Sequence, residues 1–80
     1  MTITYSKTSI KYLQRIEKKM SQNIVMGIEK LPVEGDIKKM KGQHLEDIYR
    51  LRIGKYRVLY FLEKETVKIL KIDTRGDIYK

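Results

Sequence analysis

The sequence predicts an α+β fold in a single domain spanning residues 1–80: an N-terminal strand and a helical hairpin packed on a small antiparallel sheet, ordered β-α-α-β-β-β. Three observations carry this. Apolar residues recur at helical spacing from Ile10 to Leu31, the lone proline at 32 closes that stretch, and from Ile48 onward the apolar period changes to two. A strand, two helices and then a run of strands is the pattern of helices gathered on one face of a sheet. With 80 residues there is room for one modest core, because a chain this short buries only about 60% of its unfolded surface.

Taken in order, Thr2 to Tyr5 alternate β-branched and aromatic side chains and read as a short first strand. Thr8 or Ser9 is placed to cap a helix whose apolar positions are Ile10, Leu13, Ile16 and Met20, with Lys11, Arg15, Lys18 and Lys19 on its other face. Ser21 is placed to cap a second helix carrying Ile24, Val25, Ile28 and Leu31, and Pro32 disfavours helical geometry at the residue before it. Between Val33 and Asp47, glycines, mixed charges and isolated apolar residues such as Met40 predict an ordered loop with room for one short strand. The segments IYRLRI, YRVLYFL and TVKILKI then form a three-stranded meander joined by tight turns at Gly54-Lys55 and around Lys64. Gly54-Lys55 suits a two-residue hairpin loop that needs glycine first, since positive φ there penalises other residues.

Composition narrows the partners. Eighteen Lys and Arg against ten Asp and Glu give a net charge of +8, so an anionic partner is expected: RNA, DNA, a membrane face or an acidic protein. No cysteine and a single histidine leave none of the usual zinc ligand sets and no disulfide scaffold. The N-terminus lacks the apolar run of a signal peptide and no stretch has the length of a membrane span, so a cytoplasmic protein is expected.

The meander concentrates the chemistry. A Gly54-Lys55 loop sets Ile53 opposite Tyr56, Arg52 opposite Arg57 and Arg50 opposite Leu59. Like charges in opposed cross-strand positions destabilise a sheet, on the scale of about 0.2–1 kcal/mol per pair, so something other than stability should account for the arginines. Arg50, Arg52 and Arg57 would share one face, with Tyr49, Leu51, Ile53, Tyr56, Val58 and Tyr60 mostly on the other. A planar guanidinium can make two hydrogen bonds to one phosphate and stays charged at any working pH. The plainer reading is a solvated outer face whose charges keep the sheet from pairing with others. His44 lies in the polar loop, where a lone histidine is ordinarily solvated, Glu63 and Glu65 flank a turn as solvating charges, and Met20, Met26 and Met40 read as core or partner-facing filler.

Lys41-Gly42, Tyr56-Arg57-Val58-Leu59-Tyr60 and the closing Thr74-Arg75-Gly76-Asp77-Ile78-Tyr79, in this order and spacing, resemble the C-terminal half of RelE-type toxins of the RelE/ParE superfamily. In that family a loop ending in a basic residue and glycine precedes a YRxxY element, and the chain closes on a segment like HRxxVY. With the helical hairpin ahead of these pieces, the resemblance covers nearly the whole chain.

The resemblance implies the toxin of a toxin–antitoxin pair, acting as a metal-independent endoribonuclease (an mRNA interferase) that enters the ribosomal A site and cleaves the codon there without a cofactor. It implies that Arg57 contacts the scissile phosphate, that Lys41 and Arg75 flank it, and that Tyr79 stacks on a base or assists proton transfer. Arg50 and Arg52 fall where the family often has basic residues that hold RNA, and Lys11, Arg15 and Lys18 on the first helix are further candidates for RNA contact. The implied partners are a cognate antitoxin, the ribosome with its messenger RNA, and operator DNA through the antitoxin complex only, with no membrane. Alternatives within the fold are a DNA gyrase inhibitor of the ParE type and a weakly catalytic toxin-fold protein that only binds antitoxin and operator DNA. Lysine at 41 where arginine is common, threonine at 74 where histidine is frequent, and a chain closing one residue after Tyr79 without a C-terminal helix are the departures from the pattern.

Overall fold

The computed structural model describes residues 2–40 and 47–74. Lys41, His44, Arg75 and Tyr79 lie outside the described residues. The elements are β1 (Thr2–Tyr5), α1 (Lys7–Arg15), α2 (Lys18–Glu29), β2 (Asp36–Lys39), β3 (Ile48–Ile53), β4 (Tyr56–Glu63) and β5 (Thr66–Asp73). They form two layers, a helical pair over one face of a five-stranded sheet ordered β1-β5-β4-β3-β2. The α+β prediction holds, and the short strand allowed for in the long connection is β2. The sheet is mixed, however, because β1 joins it as an edge strand parallel to β5 rather than lying outside an antiparallel unit.

The helices begin and end elsewhere than the spacing predicts. Neither Thr8 nor Ser9 caps α1: the N-cap is Ser6, whose side-chain oxygen accepts from the Ser9 backbone N–H at 3.1 Å. The Ser6 hydroxyl proton goes to the Leu70 carbonyl at 2.8 Å, which ties the helix start to β5, and the buried Ser9 hydroxyl then donates to Ser6 Oγ. The chain leaves helical geometry at Ile16 (φ −84°, ψ 168°), so Ile16 ends α1 and Met20 belongs to α2. Ser21 is not a cap either, because α2 starts at Lys18 behind Glu17; its hydroxyl instead donates to the Leu13 carbonyl, one of those left open at the end of α1. Helical spacing alone could not reveal this break, since Leu13, Ile16 and Met20 still face the core from two short helices.

The core lies between the layers. Ile24, Ile28 and Leu31 from the helical side meet Leu51, Tyr56, Val58, Tyr60, Val67, Ile69 and Ile72 from the sheet, with Ile3, Tyr5, Ile37, Tyr49 and Ile53 packed around them. Tyr49 and Tyr60, directly opposed on β3 and β4, stack with centroids 5.6 Å apart. The β3–β4 turn is as predicted, with Gly54 at φ +57° and no positive φ at Lys55. At Gly35 (φ +129°) the backbone entering β2 passes so close to Leu51 that a Cβ would stand 2.6 Å from Leu51 Cδ1.

Candidate functional site

The sheet face turned away from the helices gathers the arginines. The observed register pairs Ile53 with Tyr56, Arg52 with Arg57 and Arg50 with Leu59, as the hairpin predicts. Side chains alternate along each strand, so Arg50, Arg52 and Arg57 share this outer face while Leu51, Val58 and Tyr60 fill the core. Arg52 is exposed and Arg57 partly buried.

Carboxylates flank the opposed arginines on the neighbouring strands. Asp36 of β2 stands opposite Arg52, and Asp73 of β5 stands opposite Arg57. A single row across four strands therefore reads Asp36, Arg52, Arg57, Asp73, with the two cations inside and a carboxylate at each end. Cross-strand attraction at both flanks works against the central repulsion, and both effects lie on the same scale of about 0.2–1 kcal/mol. The flanking carboxylates offset part of the repulsion that the opposed pair brings to the sheet. The sequence signal for Asp73 was a change of phase: Val67 and Ile69 face the core two residues apart, but the next core residue is Ile72. The irregularity lies where the register shifts between Leu59 and Tyr60 of β4. Without that bulge Arg57 would have met Ile72.

Arg50 is the least comfortable of the three. Its side chain is only 13% exposed, its Nη2 meets Asp36 Oδ1 at a long 3.4 Å, and its Nε is buried without a hydrogen-bond partner. Each unsatisfied buried donor costs about 1–3 kcal/mol, and no described protein group offsets that cost at Arg50 Nε. Arg57 donates from Nη1 to the Thr74 carbonyl at 3.3 Å, and Asp73 Oδ1 accepts from the Thr74 N–H at 2.6 Å, which fixes the end of β5 against the arginine.

The helical layer reaches the same end of the sheet through Tyr12, whose ring meets Tyr56 edge-on at 6.3 Å. Burial raises the Tyr12 pKa, and the Asp73 carboxylate and Tyr56 add to the rise; a hydrogen bond with Thr74 and the Arg15 charge act the other way. Lys11, Arg15 and Lys18 are exposed on the helices. The structure thus places them on the layer opposite the arginine face and does not bring them together with Arg50, Arg52 and Arg57. Lys11 and Arg15 line a shallow hollow with Thr8 and Gln14, and Lys18 borders a second with Ser21, Gln22, Val25 and Met26.

Residues 3–79 match the family model described as the ParE toxin of the type II toxin–antitoxin system parDE. The chain belongs to the RelE/ParE superfamily of type II toxins. Among curated proteins, this toxin is 29% identical to Toxin RelE3 of Methanocaldococcus jannaschii, across 99% of this chain and 96% of the relative. Two solved structures are similar to it. The RelB–RelE antitoxin–toxin complex of Methanococcus jannaschii matches with a TM-score of 0.75 at 29% identity, covering 95% of this toxin and 94% of that chain. The archaeal RelE–RelB complex of Pyrococcus horikoshii OT3 matches with a TM-score of 0.76 at 29% identity, covering 94% of both chains.

Proposed function

We propose that this toxin is a ribosome-dependent endoribonuclease that cuts messenger RNA within the A-site codon, and that the arginine face of its sheet is the surface that meets the RNA. The observation that carries the reading is the set Arg50, Arg52 and Arg57 on one sheet face, with Lys38 and Lys71 on the neighbouring strands of the same face. A phosphodiester supplies the acceptors such a face lacks.

In this reaction the ribose 2′-hydroxyl attacks the adjacent phosphorus. The bond to the 5′-oxygen of the next nucleotide breaks, a cyclic phosphate remains, the 2′-hydroxyl proton passes to a base and the leaving 5′-oxygen acquires a proton. Negative charge builds on the phosphate oxygens as the new bond forms. A fixed cation aimed there lowers the barrier, and removal of one such donor typically costs about 10²–10³ in rate. Arg57 takes that role: the row beside it and the Thr74 carbonyl hold its guanidinium in place before substrate arrives. Arg52 and Arg50 hold flanking phosphate oxygens. Lys41 and Arg75 flank the phosphate and Tyr79 stacks on a base or assists proton transfer, in line with the resemblance of their segments to the RelE pattern. Arginine is a poor proton acceptor at neutral pH, so much of the acceleration comes from the ribosome aligning the 2′-oxygen with the bond to be broken.

The partner in the cell is an antitoxin, consistent with the RelB-bound states of the similar structures. A net charge of +8 favours an acidic segment of that partner covering the basic surface, with operator DNA reached only through the complex. Messenger RNA on programmed ribosomes, mapped by primer extension, tests the reading: cuts confined to A-site codons support it. The ParE description of the family model favours one second reading, inhibition of DNA gyrase. No cuts, together with loss of gyrase supercoiling in the presence of the toxin, would put that reading in its place.

A further inference from the structure

The outer face is not uniformly charged. Along β3 and β4, successive outward rows are Arg52 with Arg57, then Arg50 with Leu59, then Ile48 with Phe61. The last row is apolar, and its neighbour on β5 is Lys68, whose Nζ lies 5.9 Å over the Phe61 ring while pairing with Glu63 at 2.9 Å. Lys71 and Lys38 complete the middle row beside Leu59 and Arg50. Phe61 is only partly buried and belongs to the face opposite the core, so packing between the layers does not explain an aromatic ring there.

We infer that Phe61, backed by Ile48 and flanked by Lys68, is a stacking platform for an unpaired base of single-stranded RNA, at the far end of a track that starts at Arg57 and runs past Arg50. The inference rests on the proposed RNA-cutting function and adds a subsite to it. Phe61 is four steps along β4 from Arg57, and a strand rises about 3.3 Å per residue, so the ring stands roughly 13 Å along the strand from the arginine. At that reach it meets a base outside the dinucleotide being cut. Lys38, Arg50 and Lys71 lie on the row between, where the connecting backbone crosses. Alternating cations with an aromatic face is how proteins hold single strands with little sequence preference: the cations follow the phosphates and the ring takes any base. Lys68 moves from the ring to the backbone as the base arrives.

The test is fluorescence anisotropy with a labelled single-stranded RNA octamer and a labelled dinucleotide at low salt, using wild-type toxin, Phe61→Leu, Phe61→Trp and Arg57→Ala. Leucine keeps an apolar side chain and removes the flat ring; thermal melts confirm that each variant folds. Stacking worth about 1–3 kcal/mol corresponds to roughly 5- to 150-fold in affinity. The expected result is an octamer affinity reduced by that factor in Phe61→Leu, retained in Phe61→Trp, with the dinucleotide indifferent to both changes. Equal octamer binding by wild type and Phe61→Leu overturns the platform, while loss of binding in Arg57→Ala alone leaves the RNA-cutting reading standing. No octamer binding by wild type also overturns it, and the ribosome assay then decides the cutting reading separately.

Discussion

Replacing Asp36 by asparagine should weaken the fold and strengthen nucleic-acid binding at once. Asp36 is the carboxylate at the outer end of the charged row, and it is also the ion-pair partner of Arg50 at 3.4 Å. An exposed pair is worth about 0.2–1 kcal/mol, and breaking a fully buried one costs about 3–5 kcal/mol. This pair lies between the two limits, since the Asp36 side chain is 61% exposed and that of Arg50 13%. The cost is therefore placed at about 1–2 kcal/mol, most of it from leaving a largely buried guanidinium without a counter-charge. For a domain of this size each kcal/mol moves the melting temperature by about 4–8 °C, so a fall of roughly 4–16 °C is expected by circular dichroism. The gap should narrow as salt rises toward 1 M, where the screening length falls to about 3 Å. Under the same low-salt conditions the variant should bind a single-stranded RNA more tightly, because a repelling carboxylate has left the arginine face. An unchanged melting temperature with weaker RNA binding would refute the assignment of Asp36 as the partner that holds Arg50.

Three further outcomes follow from particular residues. Lys64 sits at φ +41° in the β4–β5 turn, a conformation that costs an L-residue about 1–2 kcal/mol, so Lys64→Gly should gain roughly 0.5–1 kcal/mol after glycine's own entropy cost; a drop in the urea midpoint would contradict it. Burial pushes the Tyr60 hydroxyl up to about 12, with Tyr49 adding to the rise. A folded-state pKa above the unfolded value of 10.0 means that this contribution is complete below pH 10 and is lost as pH climbs toward 12, so denaturant midpoints of wild type should fall faster than those of Tyr60→Phe across that window, and parallel curves would exclude it. Leu51 is 1% exposed and packs in the core beside the Gly35 backbone, so Leu51→Ala should cost about 2–5 kcal/mol in denaturant unfolding, and a loss below 1 kcal/mol would show that the site collapses around the gap.

The β3–β4 hairpin could be read directly from the sequence, because one glycine at the turn and strict alternation on both sides fix the register and hence the face shared by Arg50, Arg52 and Arg57. The outer ends of the row were harder to see. Asp36 comes from a four-residue strand inside a connection of mixed composition, and Asp73 reaches Arg57 only because a bulge moves β5 by one residue. Helical spacing located the hairpin but not its break, since a continuous apolar stripe serves one helix or two, and the deciding bonds of Ser6 and Ser21 reach carbonyls at Leu70 and Leu13. Phe61 is illegible for a different reason: within YRVLYFL it reads as one more strand residue, and only the register shows it on the charged face.

Whether Arg57 stabilises the charge that develops on a cut phosphate is decided by single-turnover cleavage of A-site codons on programmed ribosomes by wild type and Arg57→Ala. The variant should cut at a rate lower by about 10²–10³, with a melting temperature close to wild type because relief of the Arg52 repulsion offsets the lost hydrogen bond to Thr74 and the lost cross-strand neighbour of Asp73. Cleavage at the wild-type rate by a folded Arg57→Ala protein would contradict it.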